Sequence, residues 1–107
     1  MKTLTAAELA HWLADAQRAR PQLVDVREPW ETQLCRIAGA ALMPMREVPQ
    51  RFADLEPEQP VVCFCHHGAR SAHVAMFLAR QGYGDVYNLT GGIDAWARQI
   101  DPAMATY

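Results

Sequence analysis

The sequence predicts an α/β domain built on a mainly parallel sheet. Two observations carry that reading. Short runs rich in Val and Leu alternate with segments of helical periodicity, joined by short connections. One run, VVCF at 61–64, is apolar at every position, as an interior parallel strand covered on both faces should be. The 107 residues suffice for one domain, taken as 1–107, and are too few for two.

In chain order, the first element is a helix. Thr5 and Glu8 fit a capping box, with Leu4 and Leu9 placed as a hydrophobic staple. Leu9, Trp12, Leu13 and Ala16 follow helical spacing and mark a buried face; Pro21 ends the segment. QLVDV (22–26) reads as a buried strand, broken by Glu28-Pro29. A helical turn is expected within 30–37 and a short strand at 41–43, before Pro44. Val48, Phe52 and Leu55 are spaced for a helix over 48–55, closed by Pro57 and Pro60.

After the 61–64 strand comes a loop at 65–69. The spacing of Val74, Phe77 and Leu78 predicts a helix over 70–81, stopped by Gly82. Residues 86–89 form another strand, and Gly91-Gly92 turns the chain into a last helix carrying Ile93 and Trp96. The tail, 101–107, carries no periodic signal. No internal repeat or low-complexity tract is present.

Half of the residues are hydrophobic and the formal net charge is −2. A nucleic-acid binder would show a basic excess, so nucleic acid is not an expected partner. No apolar run approaches the ~20 residues of a membrane-spanning helix, so neither is the membrane. The N-terminal segment has Glu8 and His11 interrupting its apolar residues, unlike a signal peptide. The expected location is therefore cytoplasmic. Monomer and weak homodimer both stay open, since no extended heptad or apolar stripe demands a partner. In a reducing compartment the three cysteines, Cys35, Cys63 and Cys65, are thiols rather than a disulfide framework.

One of these thiols stands at a chemically distinctive place. Cys65 follows the 61–64 strand, where ligands bind in open α/β sheets, and precedes a helix whose free N–H groups and dipole favour a thiolate. His66, His67 and Arg70 bring potential positive charge, and Gly68 permits a tight loop whose amides form an anion-binding nest. Cys63 lies inside the apolar strand and is expected to be structural. Cys35 could be structural or could act as a resolving thiol. A metal centre is not expected, because adjacent residues on a strand point to opposite faces and no second ligand pair completes a set.

The segment CHHGARS (65–71) resembles the active-site loop of rhodanese-type sulfurtransferases, written Cys-x-x-Gly-x-Arg-Ser in many single-domain members. DVREPWE (25–31), IAGA–ALMPM (37–45) and YNLTGGIDAW (87–96) resemble the same family in the same order, so the resemblance spans nearly the whole chain. It implies a three-layer domain, with a mainly parallel sheet of about four to five strands and helices on both faces. It also implies thiosulfate sulfurtransferase activity. Cys65 would take sulfane sulfur from a small donor and pass it, from a persulfide, to a thiol, protein or cyanide acceptor. The backbone amides of His66, His67, Gly68, Ala69, Arg70 and Ser71 would bind that sulfur. No metal or organic cofactor is implied.

Several assignments around the loop stay open at this level. Arg70 could contact substrate anions, or pair with Asp25 or Glu28 to hold the loop. Asp25 is expected to support the loop from the end of its strand. Trp30 and Trp96 match family positions and read as core. His11 reads as solvent-facing, and His73 as surface or core-edge. Gly91-Gly92 is expected to let backbone pass close to the catalytic loop. Two other functions compete. One is a cysteine phosphatase or arsenate reductase on the same architecture; the related phosphatases resemble this fold but carry one residue more in the loop, whereas Cys65 to Arg70 spans six residues. Non-catalytic binding modules of this family typically lack the loop cysteine.

Overall fold

A computed structural model describes residues 1–107. Its centre is a five-stranded, wholly parallel sheet of strands β1 (Lys2–Leu4), β2 (Gln22–Asp25), β3 (Ala41–Leu42), β4 (Val61–Phe64) and β5 (Val86–Leu89). The spatial order is β1-β5-β4-β2-β3, which puts β4 in the middle with its carboxyl end between those of β2 and β5. Five α-helices surround the sheet: α1 (Ala6–Ala14), α2 (Pro29–Thr32), α3 (Val48–Arg51), α4 (Ala69–Arg80) and α5 (Gly92–Gln99).

The period-two alternation of the strands divides the core into two layers. On β4, Val61 and Cys63 join Val24, Val48, Val74 and Leu78 in the layer under α3 and α4. Val62 and Phe64 join Leu9, Trp12, Ile93 and Trp96 in the layer under α1 and α5. Both faces of β4 are therefore apolar, which is why its sequence has no polar position. Cys65 continues the Val61, Cys63 alternation and falls in the α4 layer. Strand periodicity thus aims its sulfur at the start of α4.

Local sequence explains most element ends. The Thr5–Glu8 capping box is closed from both sides, Glu8 N to Thr5 Oγ1 at 3.1 Å and Thr5 N to Glu8 Oε1 at 2.8 Å. The helix is shorter than its apolar spacing suggests. It ends at Ala14, and Asp15 accepts from the Gln17 amide in a turn that leaves Ala16 exposed. In place of one helix over 48–55 there is a single α-turn, α3, between two 3-10 turns at 45–47 and 52–54. Pro49 is confined to the first turn of α3, where its missing N–H is tolerated. Residues 30–37 hold only the end of α2, and Met43 lies just past β3.

Strand β1 has no counterpart in the sequence reading. Three residues with one buried side chain carry too little periodicity, and Leu4 reads equally well as a staple over α1. The strand exists because β5 offers it an edge: Lys2 to Leu4 stand in register with Tyr87 to Leu89, and Thr90 N donates to Leu4 O at 2.8 Å. No helix is long and apolar enough to cross a membrane.

Candidate active site

Cys65 sits at the carboxyl end of β4, and the chain then turns through His66, His67 and Gly68 into α4. Gly68 occupies the N-cap with φ of +119°, a conformation costly for any residue with a side chain. That turn brings two backbone donors onto the sulfur. Gly68 N lies 3.1 Å and Ser71 N 3.5 Å from Cys65 Sγ, with the Ser71 hydroxyl at 3.3 Å. The hydroxyl has a single proton, and its shortest contact is Asn88 Oδ1 at 2.5 Å. The two amides are therefore the standing donors to sulfur. Asn88 returns a hydrogen bond to Gly68 O at 3.0 Å and so braces the turn from β5.

The outer side of the loop is held by the first turn of α5. Ile93 N donates to Cys65 O at 2.9 Å and Asp94 N to His66 O at 3.1 Å. This approach needs glycine at 92. A Cβ there would lie 2.5 Å from Cys65 O, and φ is +60°. The expectation that Gly91-Gly92 lets backbone reach the loop is met at Gly92.

Of the six residues expected to line the sulfur, Gly68 and Ser71 touch it. His66 has its ring stacked on His67 (3.9 Å between centroids) and on Tyr107 (3.8 Å, 7° between planes). Burial, then the neighbouring His67, push its imidazole below the usual histidine range. His67 and Ala69 are exposed, and His67 Nε2 stands 3.8 Å from Asp94 Oδ2.

Arg70 does not pair with Asp25 or Glu28. Its guanidinium grips Glu31 in a two-pronged ion pair, Nη1–Oε1 2.6 Å and Nη2–Oε2 2.8 Å. Asp25 is wholly buried and paired with Arg27, which itself has no exposed surface. Glu28 caps α2 and meets Arg46 at the surface. The difference has a geometric cause: Asp25 and Arg27, two residues apart on an extended segment, share one face and satisfy each other. Glu31, on α2, is left to meet the loop. Arg70 holds its carboxyl down at about 2, aided by the Tyr107 hydroxyl and the Glu28 amide against the cost of burial.

Four residues of this assembly escape the sequence reading. Arg27 and Glu31 lie inside DVREPWE, where their spacing was the available signal. Asn88 is a polar residue inside an otherwise apolar strand. Tyr107 had no local signal at all, yet its hydroxyl lies 2.7 Å from Glu31 Oε2 and 3.1 Å from Arg27 Nη1. Trp30, read as core, is 61% exposed and meets the Tyr107 ring edge-on at 6.0 Å, whereas Trp96 is buried as expected. A four-residue helix has no room to bury both Trp30 and Glu31, and the charged pair takes the inner position. Cys63 is fully buried, and burial, with Cys65 nearby, pushes its thiol up to about 12. All three cysteines are free. Cys35 packs on the α1/α5 side, in the layer opposite Cys65, with Arg27 Nη1 3.7 Å from its sulfur.

Comparison with known proteins agrees with this geometry. Residues 5–99 match the family model described as "Rhodanese-like domain". The chain is 39% identical over 102 residues to "Sulfurtransferase" of Allochromatium vinosum, covering 95% of this chain and 94% of that protein. It is 40% identical over 90 residues to "Rhodanese-like/PpiC domain-containing protein 12, chloroplastic" of Arabidopsis thaliana, of whose length it spans only 30%. Among solved structures, the rhodanese-like domain protein from Staphylococcus aureus superposes with a TM-score of 0.85 at 32% identity, over 100% of this chain and 99% of that one. With its parallel sheet, its cysteine at the end of the central strand and the loop that wraps it, the chain belongs to the rhodanese-like domain family.

Proposed function

We propose that the protein is a sulfurtransferase working through a persulfide on Cys65. The observation that carries this reading is the convergence of the Gly68 and Ser71 amides on the sulfur of Cys65, a residue only 1% exposed. Such donors stabilise negative charge on a thiolate, and then on the terminal sulfur of a persulfide. In the first step the Cys65 thiolate attacks the outer sulfur of a donor such as thiosulfate. The S–S bond of the donor breaks, and sulfite, or a thiolate from a persulfide donor, departs with the bonding pair. In the second step a thiolate or cyanide attacks the outer sulfur and Cys65 leaves as thiolate, ready for another cycle.

The names of the relatives favour the same chemistry. The loop also argues against a phosphatase. A phosphoryl group presents three equatorial oxygens, each wanting a donor at about 2.7–3.1 Å. Here the Arg70 guanidinium that could bracket them is turned to Glu31. Acceptors on this reading are small thiols or a protein cysteine, in a cytoplasmic setting.

The test is mass spectrometry of the intact protein after exposure to thiosulfate, glutathione persulfide and a protein persulfide in turn. The expected result is one added sulfur atom, mapped to Cys65 and removed by cyanide. No sulfur on Cys65 from any donor would overturn the proposal.

A further inference from the structure

The Cys65 loop is anchored at both ends by one aromatic residue remote in sequence. At its start, the ring of Tyr107 lies flat on His66, the residue after Cys65, at 3.8 Å. At its end, Arg70 is gripped by Glu31, and the Tyr107 hydroxyl is 2.7 Å from the same carboxylate.

The direction of the hydroxyl's hydrogen bonds follows from its partners. A guanidinium has no acceptor, so Arg27 Nη1, 3.1 Å away, must donate to the phenol oxygen. The phenol's single proton is then committed to Glu31. Burial, with Glu31 opposed by Arg27, pushes this phenol up to about 12, so the proton stays in place at neutral pH. Arg27 is itself immobile. It is fully buried, held by both oxygens of Asp25 (2.9 and 2.7 Å) and by Cys35 O (2.8 Å). A rigid ion pair at the end of β2 is thereby linked, through one hydroxyl, to the ion pair that fixes the catalytic loop. Trp30, edge-on to the ring, and the Arg27 guanidinium 5.9 Å from its centroid confine the aromatic plane.

We propose that Tyr107 is a positioning residue for the Cys65 loop, acting on its start through the His66 ring and on its end through Glu31 and Arg70. It does not touch the sulfur. Its part is to keep the loop closed, so that the Gly68 and Ser71 amides converge and Cys65 stays shielded. The proposal rests on the sulfurtransferase reading only for its effect on turnover; the effect on shielding is independent of it.

The experiment compares the protein with Tyr107→Phe, which keeps the ring, and Tyr107→Leu, which keeps neither stacking nor hydroxyl. Alkylation of Cys65 by iodoacetamide and sulfur transfer are both measured far below each variant's Tm. Opening the loop moves the two readouts in opposite directions. Alkylation should rise about twofold in Tyr107→Phe and about tenfold in Tyr107→Leu, while kcat/KM for transfer falls by similar factors. A residue that merely added stability would lower Tm and leave both rates unchanged. The hydroxyl acts through Glu31, so Tyr107→Phe should have no further effect on alkylation in a Glu31→Gln background. Alkylation of Tyr107→Leu within twofold of wild type would overturn the proposal. So would an undiminished effect of Tyr107→Phe without the Glu31 charge, which also serves if Tyr107→Leu does not fold. Because alkylation needs no sulfur donor, a protein that lacks transferase activity would still report on the loop.

Discussion

Arg70 and Glu31 meet through both nitrogens and both oxygens, at 2.6 and 2.8 Å, with the carboxylate almost fully buried and the guanidinium about a third exposed. This pair ties the last residue of the cysteine loop to α2, so the loop's shape is set from outside the β4–α4 connection. Paired planar groups of this kind impose orientation as well as attraction.

The pair predicts an acid-sensitive loop. Glu31 titrates at about 2 in the folded protein, well below the ordinary glutamate value. Its contribution is therefore complete above the unfolded value near 4.5 and is lost as pH falls toward 2. Glu31→Gln should lower stability by about 1–3 kcal/mol at neutral pH and flatten the acid limb of a urea-denaturation pH series. An acid limb identical to wild type would show that the pair adds no stability.

Cys65→Ser should abolish sulfur transfer, because sulfur must be parked covalently on a thiolate. Cys63→Ala should retain most of it, since Cys63 is buried on the strand, with its thiol pushed up to about 12. Its cost should fall on stability, by about 1 kcal/mol from the small cavity left behind. Cys35→Ser should likewise keep most activity. Equal losses in Cys35→Ser and Cys65→Ser would point to a two-cysteine redox mechanism instead.

Gly92→Ala should be among the most damaging single changes. The added methyl would meet backbone oxygen at Cys65 and His66, and neither can move without breaking its bond to α5. A loss of at least about 2 kcal/mol in denaturant unfolding is expected, with transfer activity falling along with it. Gly82→Ala, at positive φ but with no atom within 4 Å of the added methyl, is the control. It should show only the conformational cost, about 1 kcal/mol.

The unmodified protein should not hydrolyse an aryl phosphate in a Cys65-dependent way. Inserting one residue between Gly68 and Arg70 should damage sulfur transfer by spreading the Gly68 and Ser71 amides away from the sulfur. Gain of phosphatase activity is not required of that variant. Robust aryl-phosphate turnover by the wild type would overturn the sulfurtransferase reading.

The legible parts of the fold were those whose signal is local. The apolar run at 61–64, the capping box at Thr5 and the spacing of Val74, Phe77 and Leu78 each describe residues that interact within a few positions of one another. β4, α1 and α4 therefore stand close to where the pattern puts them. The 48–55 segment is one α-turn running into a 3-10 turn, a change of helix type that the spacing of apolar positions does not resolve. β1 is a strand only because β5 supplies hydrogen bonds, and that pairing crosses more than eighty residues of chain.

The same division runs through the site. Contiguous residues alone placed Cys65 at the carboxyl end of a central strand, with Gly68 turning the chain and a helix beginning behind it. All three follow from contiguous residues obeying strand and helix periods. Long-range packing settles which carboxylate Arg70 holds, that Asp25 is taken by Arg27, that Asn88 braces the turn, and that Tyr107 lies on His66. Each is a contact between side chains of distant segments. Charge and polarity say that such groups need partners, but the choice among Asp25, Glu28 and Glu31 depends on which lies within about 3 Å, and packing sets that distance.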